Sequence, residues 1–166
     1  MYILLYTGGL LLIMTPETKL NTDNSIKNIN HTEVEDKVMS ILSKVNIELN
    51  DLIFPTISKL TNKIITDINN AETRKFNAYD GDIRLDLALL NYCQKQFCNK
   101  KNEKNVQVFS SIVNHLRSNT MFRKWYDLLD LNLFITNPKL KFSKDTNKFY
   151  GTVFEAFISI LFSYVS

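Results

Sequence analysis

Apolar residues recur along the chain three and four positions apart, in blocks separated by short polar stretches, which is the spacing of helices packed on one side. Val34, Val38, Ile41, Leu42 and Val45 form the first stripe and predict a helix over about 33–46. Thr32 and Glu35 stand at its start as a capping box, each side chain placed to satisfy the other's free backbone N–H. Pro55 suits the opening of a second helix, whose stripe is Ile57, Leu60, Ile64 and Ile68, and the polar stretch Asn69 to Asn77 ends it. From Tyr79 to Phe97 the pattern turns apolar almost all round, through Ile83, Leu85, Leu87, Ala88, Leu89 and Leu90, which predicts a central, buried helix. Phe109, Ile112, Val113 and Leu116 mark a further amphipathic helix over 106–116. Ser118 then caps a short one carrying Phe122, Trp125, Leu128 and Leu129. Pro138 breaks the chain, and a lysine-rich connector leads into a last apolar helix ending near residue 165. The expected class is all-α.

Composition narrows this picture without redirecting it. The 166 residues fit one domain and can bury a core without staples, and 45% hydrophobic content excludes a disordered chain. Four glycines and three prolines leave little material for the turns of an all-β fold. The net charge of +3 excludes a strongly basic tail protein but permits a local basic face. Asn and Lys, which have A/T-rich codons, are abundant, so the 19 asparagines are read as compositional drift. On the same ground the Asn30-His31-Thr32 sequon is a chance match. The apolar first fourteen residues fall short of the roughly 20 needed to cross a bilayer, and they lack the basic start and cleavage site of a signal peptide. No membrane association is expected. Cys93 and Cys98 are five apart, on different helix faces, and too few for a zinc cluster; they read as buried thiols of an intracellular, reducing compartment. The division expected is an apolar start and flexible lead-in over 1–31 and one helical domain over 32–166.

Two places set acids within apolar runs. Asp82 and Asp86 lie four apart on one face of the central helix, where an unpaired carboxylate is costly and calls for a cation, a metal or backbone donors. A helix start near Tyr79 would also accommodate Asp80 and Asp82 through the helix dipole. In the last helix, Thr152, Glu155, Ser159 and Ser163 make a narrow polar stripe beside a wide apolar face that includes Phe154 and Phe157. Glu155 there reads either as an acid near a helix N-terminus or as part of a site.

Together the two places resemble something specific. Gly81-Asp82-Ile-Arg-Leu-Asp-Leu-Ala-Leu-Leu-Asn-Tyr resembles the opening of the long apolar helix that follows the signature of ribonuclease III domains. Leu116-Arg-Ser-Asn-Thr-Met-Phe, running on to Leu128-Leu129-Asp-Leu, resembles that family's Ser-Asn segment and following short helix. Lys148-Phe-Tyr-Gly-Thr-Val-Phe-Glu-Ala-Phe-Ile-Ser resembles its closing motif. The three occur in the family's order, over about residues 33–165.

The resemblance implies an all-helical, dimeric domain that cleaves double-stranded RNA, with four carboxylates holding Mg²⁺ or Mn²⁺ to activate water and stabilise the charged phosphate. Carried over by position, Asp82 and Glu155 match two of the four ligands, while the other two fall on Ala78 and Thr152; the first signature Glu falls on Lys75. Asp80 and Asp86 are the candidates to substitute. No double-stranded RNA-binding domain is expected, because the chain ends soon after the closing motif. Lys100, Lys101 and Lys104 in one loop, and Lys139, Lys141, Lys144 and Lys148 in another, read as solvated loops or, on one face, as a weak, salt-sensitive contact to RNA phosphates. The resemblance further implies a homodimer, or a heterodimer with another ribonuclease III-like subunit, closed through Phe154, Phe157 and the residues around Trp125. Three functions follow as expectations. The first is a degenerate domain contacting structured RNA, like the family members built into mitochondrial ribosomes and RNA-editing complexes. The second is an active Mg²⁺-dependent endoribonuclease. The third is a helical protein-interaction domain, for which the helices beginning near residues 79 and 147 would not pack side by side.

Overall fold

The computed structural model describes residues 4–7, 10–13, 30–44, 56–97, 103–137, 140 and 146–163. Two short strands, β1 (Leu4–Thr7) and β2 (Leu10–Ile13), pair antiparallel, with Thr7 opposite Leu10. Among the described residues six helices follow: α1 (His31–Lys44), α2 (Ile57–Asn69), α3 (Ala71–Phe97), α4 (Glu103–Leu116), α5 (Asn119–Leu128) and α6 (Thr146–Ser163). A 3-10 turn, Leu131–Phe134, follows α5, with Asp130 ahead of it in the left-handed region at φ 54°. The core is helical throughout, as the pattern predicts. Among the described residues no helix is long and apolar enough to cross a membrane.

The core is built around α6, which packs most extensively on α3 and next on α5, with α2 also against it. Val153, Phe154, Phe157, Ile158 and Leu161 of α6 are buried against Leu85 and Leu89 of α3 and Phe122 of α5 in one cluster. Ring pairs Phe122–Phe154 at 5.4 Å and Phe134–Phe157 at 5.8 Å stitch the seam. Burying each such side chain contributes about 2–3 kcal/mol. Phe154, Phe157 and Trp125 are at most 9% exposed. The expected dimer contact through these three residues is therefore corrected: a single chain already covers them.

Several boundaries also differ. α1 begins at His31, with the Asn30 carbonyl accepting from the Val34 amide, so Thr32 lies inside the first turn instead of capping it. α3 begins at Ala71, well ahead of Tyr79, because the Asn70 side chain accepts from the Glu72 and Thr73 amides at 3.0 Å each and from the Thr73 hydroxyl. Asp80 and Asp82 are consequently interior to α3, away from any helix start. α4 begins at Glu103, three residues early. Ser118 does cap α5, its hydroxyl accepting from the Met121 amide at 3.3 Å. The expectation of a fully buried central helix is corrected as well. One face of α3 packs inward through Arg74, Ala78, Gly81, Leu85, Ala88 and Leu89, while Phe76, Tyr79, Ile83, Leu87 and Leu90 stand outside.

Candidate functional site

The candidate site lies where α3 crosses α6, and Gly81 sets the crossing. A Cβ at Gly81 would overlap the carbonyl oxygen of Glu155 and stand 2.6 Å from its carbonyl carbon. Only a residue without a side chain allows the two backbones to meet. The residues on either side of Gly81 then diverge along α3, about 200° apart around the helix axis.

Asp80 turns to one flank. Its Oδ2 accepts from the Ser159 hydroxyl of α6 at 2.6 Å and from Arg84 Nε at 2.6 Å. Burial tends to raise its pKa, but the Ser159 hydroxyl and the Arg84 guanidinium outweigh that and hold the carboxyl below the usual range. Asp80, expected as a candidate to substitute for a lost ligand beside Asp82, is thus engaged by Ser159 and Arg84.

Asp82 and Asp86 turn to the other flank, where an arginine meets them. Arg117, at the corner between α4 and α5, places Nε 2.6 Å from Asp86 Oδ1 and Nη2 3.7 Å from Asp82 Oδ1. The Asp86 contact is ionic without hydrogen-bond alignment, so its Oδ1 has a cation nearby but no aligned donor. Burial, followed by the charge of Asp82, raises the Asp86 pKa against the pull of Arg117. Glu155 completes the cluster from α6. Its pKa is pushed up to about 7, first by burial, then by the negative charges of Asp82 and Asp86, with Arg117 offsetting part of the rise.

The remaining positions are plain. Ala78 is buried and apolar, and Lys75 is exposed. The Thr152 hydroxyl donates to the Lys148 carbonyl one turn back at 2.9 Å. Among the expected RNA-contacting lysines, Lys148 is exposed on α6; the side chain of Lys104 and the whole of Lys100, Lys101, Lys139, Lys141 and Lys144 lie outside the described residues. So do the side chain of Cys93 and all of Cys98.

These residues do not fit a divalent metal. Among the described residues no three or more His, Cys, Asp or Glu are arranged to hold one. Where a family metal would need two further carboxylates, the chain offers a methyl group and a hydroxyl engaged by its own helix. The guanidinium of Arg117 instead meets the acids as an internal cation. Sequence reasoning singled out the three acids but missed Arg117, although it stands within the quoted Leu116-Arg-Ser-Asn segment; its role depends on a chain corner that no local pattern reveals.

Comparison of the chain with protein-family models, curated proteins and solved structures returns no match.

Proposed function

We propose that this chain is a degenerate ribonuclease III-like domain that contacts structured RNA without cleaving it. The observation that carries the reading is Arg117 set against Asp82 and Asp86, with Glu155 beside them. A nuclease centre needs its carboxylates available to hydrated metal. Here their charge is met by a guanidinium from the same chain, and the positions of the other two acids are Ala78 and Thr152. The side-by-side packing of α3 and α6, with Gly81 against Glu155, agrees with the resemblance and disfavours an unrelated helical interaction domain. The exposed Lys148 belongs to the basic segment that would face phosphate.

The test is incubation with a long RNA duplex in Mg²⁺ or Mn²⁺, beside a Glu155→Gln control, followed by gel electrophoresis and filter binding at several salt concentrations. The expected result is salt-sensitive binding with the duplex intact in both samples. Cleavage by the wild-type chain that vanishes in Glu155→Gln would establish the active enzyme instead. Absence of binding at low salt would remove the RNA role.

A further inference from the structure

Arg123, Tyr126 and Asp127 of α5 are spaced three and four residues apart, which gathers them on one side of the helix. α6 comes close to α5 because it brings Gly151 to the contact: a Cβ there would stand 2.9 Å from Asn119 Oδ1 and 3.6 Å from Phe122. Its neighbour Tyr150 is laid against Arg123, with the guanidinium carbon 3.7 Å from the ring centre. The buried ring of Tyr126, 4.5 Å from that of Tyr150, backs the pair from inside the fold.

Arg123 is held flat in this place. Its Nε donates to both Asp127 carboxylate oxygens, at 3.0 and 2.8 Å, and one face of the guanidinium rests on Tyr150. Among the described residues its Nη1 and Nη2 have no hydrogen-bond partner, and the side chain is 35% exposed. Two other paired arginines are spent differently. Arg84 uses Nε on Asp80 and Nη2 on Ser163, and Arg117 gives Nε and Nη2 to Asp86 and Asp82. Arg123 instead offers solvent a fixed plane with open donors on its rim.

The charge of that plane is already balanced by Asp127, so a lone carboxylate or phosphate gains little there. A flat, uncharged, electron-rich group gains more, because it stacks on the guanidinium while the rim N–H groups reach its polar edge. A nucleobase is such a group. A base inside a duplex has both faces covered by its neighbours, so only an unpaired base can use the plane. Lys124, next to Arg123, and Lys148, two residues before Tyr150, are exposed cations that favour the approach of the strand carrying that base. We infer that the Arg123–Tyr150 platform between α5 and α6 receives an unpaired base of a structured RNA. The inference rests on the RNA reading above and adds a preference to it, for bulged or looped RNA over perfect duplex.

The probe is an RNA duplex carrying one bulged, fluorescent adenine analogue, compared with the same duplex without the bulge. Each is titrated with the full chain and with Arg123→Lys. The wild-type chain is expected to bind the bulged duplex about tenfold more tightly and to quench the analogue as it stacks. Overall affinity falls as salt rises from roughly 50 to 200 mM, but the ratio between the duplexes holds, because stacking releases no counterions. Arg123→Lys keeps the charge and its pairing with Asp127 but has no plane. With helical circular dichroism unchanged, it is expected to bind both duplexes alike and to leave the analogue unquenched. Three results would overturn the platform and leave the RNA reading standing: equal wild-type affinity for the two duplexes, a ratio that vanishes with salt, or quenching retained in Arg123→Lys. Binding of neither duplex at low salt would remove both.

Discussion

Glu155 holds a carboxyl in conflict with its surroundings. Burial and the charges of Asp82 and Asp86 favour its protonated form, so its folded pKa of about 7 stands above the ordinary value of 4.5. Below pH 4.5 the folded and unfolded chains both carry the proton, and the conflict costs nothing. As pH rises from 4.5 to about 7 the unfolded chain releases the proton while the folded chain keeps it, so stability falls across that window, and the loss is complete once the folded group ionises. Glu155→Gln is therefore expected to stabilise the chain by about 1–2 kcal/mol at pH 8, allowing for solvent screening, and by little at pH 4. Urea unfolding at both pH values checks this; an equal effect at each would remove the electrostatic account. At this scale the acids were legible in the sequence because each interrupts an apolar run. Their partners were not, since Arg117 and Ser159 come close to α3 only through tertiary structure.

At the scale of elements, α3 joins a sharp start to a tight crossing. Asn70 begins the helix by accepting from two amides and a hydroxyl. Asn70→Ala is expected to cost about 1–2 kcal/mol, seen as a lowered thermal midpoint. Gly81→Ala is the harsher change, because its methyl group would meet the main chain of Glu155, which cannot swing aside. Its expected cost is about 3 kcal/mol or more, with loss of the Asp80–Ser159 hydrogen bond; denaturant titration measures the first, and a cost below about 1 kcal/mol would mean the helices separate easily. The helix stripes and the Ser118 cap were readable from spacing. The true start of α3 was not. In the polar stretch Asn69 to Asn77 the buried position is Arg74, which does not announce an apolar face. Arg74 is nonetheless buried, donating to the Ile68 carbonyl at 2.7 Å and lying over the Phe149 ring.

Over the whole molecule, the helical class follows from the stripes, but which apolar faces meet each other does not. A helix apolar all round reads as buried, and α3 shows the other solution, an inner face in the core and an outer face left bare. The aromatic residues of α6 reverse this, since Phe154 and Phe157 read as spare surface but fill the interior of one chain. Periodicity counts apolar faces without saying how many neighbours the fold supplies. The Gly81 crossing has a consequence of its own for how the molecule is held together. Elsewhere along the seam, Leu85, Phe154 and Phe157 must each give up rotamer freedom to pack. Where Gly81 meets the Glu155 carbonyl, main chain touches main chain, and no side-chain entropy opposes the contact. The entropy given up at this point is that of the backbone, which glycine loses more of on folding than any other residue. The spacing of the two helices at this point is therefore set by backbone geometry and does not depend on any rotamer.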